Sequence, residues 1–193
     1  MNLSPTERIA SYARAFPKFP APYLAGDRIE GLWIMGACFK TSGYYGAYPH
    51  GYLNRVYALF PGVEKLCHLF SGSLPPGPYS RIDLPGKIEQ IQPWDRECDA
   101  HKISDYVEPN TFDLILADPP YSQEDAEHYG APMVSRKKVL QECWKVLRPG
   151  GWVIWLDQVL PQFRKDQWFW GLAVGMFKST NHRVRGVFGF QKI

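Results

Sequence analysis

Residues 112–122 read FDLILADPPYS. A run that is apolar apart from Asp113 ends in an acid, two prolines and an aromatic. Short runs of this kind read as strands buried on both faces, as in parallel sheets. Asp118 then stands at the carboxyl end of the strand, the edge where open α/β sheets take their ligands. Pro119 and Pro120 have fixed φ and no amide hydrogen, so the backbone after the acid is rigid and its carbonyls can accept. Tyr121 adds a flat ring and a hydroxyl. The expected product is a preset group of acceptors beside an aromatic plate. Read plainly, the same residues are a proline-rich turn closing a strand.

Four further strands are expected around this one: EKLCHLF (64–70), SRIDL (80–84), RECDA (96–100) and GWVIWLD (151–157). Between the fourth and fifth, SRKKVLQECWKVLRPGG (135–151) reads as an amphipathic helix. Val139, Leu140, Cys143, Val146 and Leu147 share one face, and Pro149-Gly150-Gly151 stops it. LAVGMFKS and VRGVFGFQKI flank TNHR (180–183) and read as a β-hairpin. Strands alternating with connecting segments imply an α/β fold with a mostly parallel sheet, closed by this terminal antiparallel hairpin. Near the N-terminus, Ser4-Pro5-Thr6-Glu7 has the form of a capping box with proline at the first helical position, so a helix to about Ala15 follows. Residues 16–27 read as irregular, 31–36 as a short strand, and 52–59 as a helix stopped by Pro61-Gly62.

The chain has 193 residues, 45% of them hydrophobic, which suits one domain with a sizeable core. No uncharged apolar stretch is long enough to span a membrane, and MNLSPTERIA does not read as a signal peptide. The four cysteines, Cys38, Cys67, Cys98 and Cys143, are widely spaced. Neither a zinc site nor a disulfide framework is expected, and a cytoplasmic setting follows.

Asp-Pro-Pro-Tyr at 118–121 after an apolar strand resembles motif IV of the methyltransferases that act on exocyclic amines of nucleobases. The resemblance covers roughly residues 39–192. It implies a Rossmann-like methyltransferase fold over the single domain 1–193, with 1–38 as an N-terminal extension packed on it. It also implies S-adenosyl-L-methionine as cofactor and no metal. Asp118 and the Pro119 carbonyl would hold the target amine, with Pro120 stiffening the turn and Tyr121 stacking on the base. A base amine is a poor nucleophile because its lone pair is delocalised into the ring. Two fixed acceptors favour the pyramidal nitrogen that can attack, and preorganised polar groups act where charge develops.

The same resemblance assigns a cofactor side. HLFSGSL (68–74) is similar to the family's glycine loop, placing Phe70, Ser71, Gly72 and Ser73 under the cofactor. Leu74 stands where a second glycine is usual, and His68 where an acid is. Only nine residues, 71–79, join the first strand to the second, and three are prolines, so an irregular loop is expected instead of a crossover helix. Asp83 would accept from the ribose hydroxyls. Asp99, with Ala100 and the neighbouring His101, would border the adenine. Read plainly, each acid is an ordinary exposed strand end. Residues 39–61 resemble motif X of Dam-type DNA adenine methyltransferases, which puts Lys40 and Tyr45 at the methionine end.

Charge is unevenly spread. Residues 1–135 carry 11 Lys and Arg against 16 Asp and Glu, whereas 136–193 carry 11 against 3. This asymmetry suggests a C-terminal face for a polyanion, with Lys178, Arg183 and Arg185 around the hairpin tip as candidate phosphate contacts. A solvated basic face is the alternative. The expected partner is nucleic acid, with DNA ranked ahead of RNA. The expected reaction is methylation of adenine N6, with an RNA base-amine methyltransferase or a silent nucleic-acid-binding subunit as the other readings. Oligomeric state is not legible.

Overall fold

The run 112–117 forms a strand inside a nine-stranded sheet. The computed structural model describes residues 3–36, 47–84, 95–178 and 184–193. In chain order these give α1 (Pro5–Ala15), β1 (Tyr23–Ala25), β2 (Arg28–Met35), α2 (Tyr52–Leu59), β3 (Leu66–Leu69), β4 (Ser80–Asp83) and β5 (Arg96–Glu97). A 3-10 helix (Ala100–Asp105), β6 (Phe112–Ala117), α3 (Gln123–Tyr129), α4 (Arg136–Val146), β7 (Leu147–Asp157), β8 (Trp168–Lys178) and β9 (Val184–Lys192) follow.

The sheet order is β1-β2-β8-β9-β7-β6-β3-β4-β5. Strands β5, β4, β3, β6 and β7 are parallel neighbours in that order. They are the third, second, first, fourth and fifth strands of a doubly wound sheet, so the fold is Rossmann-like, with its switch point between β3 and β6. Strand β9 inserts antiparallel between β7 and β8, which makes the terminal hairpin expected from the sequence. Beyond it, β2 pairs parallel with β8. The N-terminal segment therefore continues the sheet as well as packing on it.

Each face of the sheet carries a buried layer. On β6, Ile115 and Ala117 point into one with Val139, Leu140, Cys143 and Val146 of α4. Leu114 and Leu116 point into the other with Tyr12 of α1 and Val56 and Leu59 of α2. Burial on both sides is why the strand reads as a continuous apolar run. Two buried arginines tie the N-terminal helix down. Arg8 donates to the Leu59 carbonyl at 3.1 Å and lies over the Phe60 ring, and Arg55 donates to the Tyr12 hydroxyl. Burial lowers the Arg8 guanidinium to about 10.

Several expected boundaries shift. The capping box at Ser4 and Glu7 forms, and α1 ends at Ala15 as expected. The third strand stops at Glu97, not at 100, because the Asp99 side chain caps the 3-10 helix that follows. Residues 16–27 contain β1, which pairs with β2 across Gly26 in a left-handed conformation. Helix α3 was not expected, although Ser122 caps it from its side chain and Gly130 ends it in the left-handed region. The fifth strand begins at Leu147, ahead of Pro149. Gly151 lies within it, where a Cβ would come to 2.9 Å from the Arg148 carbonyl oxygen.

Candidate active site

Register gathers the candidate residues at one edge. Leu69 pairs with both Ile82 and Ala117, so residue 70 lies between Asp83 and Asp118 at the carboxyl ends of β3, β4 and β6. Ala117 pairs with Trp155, which sets Asp157 at the end of β7 beside them. Asp157 pairs with Gly186, so the start of β9 arrives at the same edge.

Asp118 and Tyr121 are locked together. The Tyr121 hydroxyl donates to Asp118 Oδ1 at 2.5 Å. The guanidinium carbon of Arg185 lies 4.7 Å from the centroid of the Tyr121 ring, and its Nε is buried without a hydrogen-bond partner. Burial pushes the Asp118 carboxyl up to about 7; the Tyr121 hydrogen bond and the Arg185 charge restrain the rise, while Asp157 and Asp125 add to it. Burial raises the Tyr121 phenol as well, and the Asp118 charge raises it further. From sequence alone Arg185 is expected to contact phosphate at a hairpin tip. In the fold it stands against Tyr121.

Beside this pair lies an ion pair with a fully buried carboxylate, which the sequence alone does not announce. Arg136 at the start of α4 donates from Nε to Asp157 Oδ2 at 2.7 Å and from Nη2 to Oδ1 at 3.1 Å. The same Nη2 donates to the Tyr121 carbonyl at 3.1 Å. Asp157 is fully buried and also accepts from Trp155 Nε1 and the amides of Gln158 and Val159. The fork of Arg136 thus fixes the backbone that carries the Tyr121 ring. A signal for it was present. A helix N-terminus disfavours cations, yet 136–138 reads Arg-Lys-Lys. Asp157 ends its apolar strand just as Asp118 ends its own.

The loop after β3 turns sharply. Phe70 adopts φ +57° and Gly72 φ +52°. A left-handed phenylalanine is an outlier of the kind found at functional sites, held here by packing of its side chain on the core. Asp83 accepts from the Gly72 amide at 2.7 Å and the Leu84 amide at 2.8 Å, and burial raises it to about 6 against those two bonds. Arg81, nearly buried, donates to the Leu74 carbonyl at 3.1 Å and pairs with Asp95 at 2.9 Å. As expected, 71–79 forms no helix.

A cleft of about 280 Å³ opens between this loop and residues 47–54, lined by Tyr48, His50, Asn54, Ser71, Ser73 and Leu74 among others. The Ser71 hydroxyl is buried with no hydrogen-bond partner, and so is the Tyr52 hydroxyl. Burial and the nearby Asp118 charge raise the phenols of Tyr48 and Tyr52. His68, which replaces the acid of the motif that the loop resembles, is fully buried between the hydroxyls of Tyr48 at 3.2 Å and Tyr57 at 3.3 Å. Burial lowers it to about 3, so it is neutral near neutral pH.

At the end of β5, Asp99 accepts from the His101 amide at 2.9 Å and from His101 Nδ1 at 2.7 Å. His101 Nε2 accepts from the Ser135 amide at 2.9 Å, so the ring links this turn to the start of α4. Ala100 is buried beside it. The edge thus brings together 70–73, Asp83, Asp99–His101, Asp118–Tyr121 and Arg185. Lys40, Tyr45 and Arg183 lie outside the described residues. Lys178 ends β8 opposite Met35. Among the described residues, no group of three or more His, Cys, Asp or Glu is placed to hold a metal ion, and no helix is long and apolar enough to cross a membrane.

No protein-family model and no curated protein matches the chain. Among solved structures it is similar to TrmN from Thermus thermophilus, at 14% identity and a TM-score of 0.44, covering 100% of this chain and 81% of that one. It is similar to the CurJ carbon methyltransferase at 13% identity and a TM-score of 0.33, covering 98% of this chain and 54% of that one. A third is CrArsM, an arsenic(III) S-adenosylmethionine methyltransferase from Chlamydomonas reinhardtii, at 13% identity and 0.31, covering 95% and 73%. This chain's own strand order and register define its Rossmann-like fold.

Proposed function

We propose that this protein is an S-adenosyl-L-methionine-dependent methyltransferase of an exocyclic nucleobase amine, with adenine N6 in DNA as the first substrate to test. The observation that carries the reading is the Asp118–Tyr121 pair: a partly sheltered carboxylate at a strand end, followed by two prolines and an aromatic whose hydroxyl occupies it. An acceptor already filled by a donor from its own motif can exchange that donor for a substrate N–H.

The residues present fit the cofactor. The unpartnered Ser71 hydroxyl, the sharply turned loop 70–73 and the adjoining cleft offer polar groups to a ligand of that chemistry. Ser71 and Ser73 would hold its amino-acid end, together with Lys40 and Tyr45. Asp83 and Asp99 would accept from its hydroxyls and border its base, beside Ala100 and His101. When bound, S-adenosylmethionine supplies an electrophilic methyl group. Asp118 and the Pro119 carbonyl orient the amine and favour its pyramidal form. A carboxylate held near 7 can also take the proton that the methylated nitrogen must lose. Tyr121 stacks on the base, and a duplex substrate would flip its base outward at a cost of a few kcal/mol. Lys178 and Arg183 are the proposed phosphate contacts.

The assay is direct: incubate with labelled cofactor and DNA or RNA, digest to nucleosides, and identify the methylated base. N6-methyladenosine from RNA alone would move the substrate class. Cofactor binding without transfer to any nucleic acid would favour a silent subunit.

Two variants test the division of labour. Asp83→Ala is expected to weaken S-adenosylmethionine roughly 10- to 100-fold, the usual worth of hydrogen bonds to a charged group. Calorimetry showing an unchanged Kd would remove Asp83 from the cofactor site. Tyr121→Phe keeps the stacking ring but deletes the bond that restrains the Asp118 pKa. Its rate should match wild type at high pH, with the acidic limb displaced upward. Tyr121→Ala should lose stacking worth about 1–3 kcal/mol at every pH. Equal damage from Phe and Ala would make the hydroxyl, not the ring, the functional group.

A further inference from the structure

Arg185 does not sit where a phosphate-binding residue of a hairpin would be expected. The pairing of Gly186 with Asp157 carries it over the carboxyl edge, onto the ring of Tyr121. The ring's hydroxyl meanwhile engages Oδ1 of Asp118. Two of the groups a base would need are therefore engaged: the Asp118 carboxylate by the phenol and the aromatic plate by the guanidinium. A guanidinium is flat, delocalised and weakly hydrated, and it stacks on aromatic faces much as a base does. Yet Arg185 is not fully accommodated, because its Nε is buried with no hydrogen-bond partner. The Arg185 charge helps to restrain the Asp118 carboxyl, but a cation need not lie flat on the Tyr121 ring to do so.

We infer that Arg185 is a placeholder for the base: its guanidinium holds the stacking position on Tyr121 until a nucleotide arrives, then turns to a phosphate oxygen of the incoming strand. The inference rests on the reading of Asp118–Tyr121 as the amine site. It makes Arg185 a specificity residue. A polynucleotide brings both the base that takes the ring and the anion that draws the arginine away. A free nucleoside brings only the base and must compete with the cation.

The test compares Arg185→Ala and Arg185→Lys with wild type for two kinds of probe. One is adenosine, cytidine or guanosine without phosphate. The other is a short single-stranded oligonucleotide, titrated at several salt concentrations. With the placeholder removed, the Ala variant should bind the preferred nucleoside about two- to fivefold tighter, the range of a cation–π contact at a partly open site. It should bind the oligonucleotide more weakly, with the slope of log affinity against log salt reduced by about 0.7, one single-strand phosphate contact. The Lys variant keeps a cation without the flat fork, so it should keep the salt slope while nucleoside binding tightens part of the way. Should the Ala variant fold poorly, the Lys variant carries the same discrimination. Weaker binding of both probes would make Arg185 a structural prop, and unchanged nucleoside affinity would mean that it never held the base position; either overturns the inference. If wild-type protein methylates a base amine but the variants show one of those patterns, only the placeholder role falls. If wild type binds neither probe and methylates no base, the reading of the amine site falls, and this inference with it.

Discussion

Asp118→Ala is expected to leave the fold intact and to lower kcat by about 10²- to 10³-fold, the usual cost of removing one preorganised polar contact to a reacting group. The fold should survive because the side chain closes no core layer; its own hydrogen bond runs to Tyr121, three residues along. Wild-type activity should also fall as pH drops below about 7, since burial raises the Asp118 carboxyl to that range and only its ionised form is a pure acceptor. Asp118→Asn keeps an acceptor oxygen that does not titrate. It should retain more activity than Ala and lose the acidic limb. A near-normal rate in the Ala variant would take Asp118 out of the mechanism.

The same shift makes a stability statement. Asp118 rises from an ordinary value of 3.8 to about 7 in the folded protein. Between those values the folded state binds a proton that the unfolded chain has released. Stability therefore falls as pH rises through that window. Asp83, raised to about 6, adds to the fall over the lower part of it. Thermal melts of Asp118→Asn from pH 4 to 8 should show a flatter dependence than wild type.

The second large effect is structural. Arg136→Met should destabilise the protein by about 3–5 kcal/mol, because it strands the charge of Asp157, which is fully buried. For a domain of this size the melting temperature should drop by roughly 6–20 °C. Adding Asp157→Asn should restore most of that stability, since the amide still accepts from Trp155 and no charge is left unpaired. Turnover should stay depressed in the double variant, because the Tyr121 carbonyl has lost its donor. Recovery of both stability and turnover would mean that the ion pair does not position Tyr121. A single variant within 1 kcal/mol of wild type would contradict the burial argument itself.

What the sequence could specify was what neighbouring residues decide. The apolar run before Asp118 marks a strand buried on both faces, and the capping box marks the start of α1. The prolines of 75–78 forbid a crossover helix, and the face shared by Val139, Leu140, Cys143 and Val146 marks α4. All of these are effects within a few positions along the chain, through backbone geometry and periodic burial. The acids at strand ends were legible for the same reason, because an apolar run that stops at a charge marks the sheet edge by itself. Tertiary structure decided what those acids touch. Strand β1 has three residues and exists through its pairing with β2. Asp83 is spent partly on the Gly72 amide because the register of β3 and β4 brings them together. Arg136 reaches Asp157 across 21 residues. Arg185 reaches the Tyr121 ring only because β9 inserts between β7 and β8 in a register that sets Gly186 against Asp157. A shift of one residue in that register would turn the arginine to the other face of the sheet. Strand order and register depend on the packing of the whole sheet, so the residues that complete the site could not be found by reading along the chain.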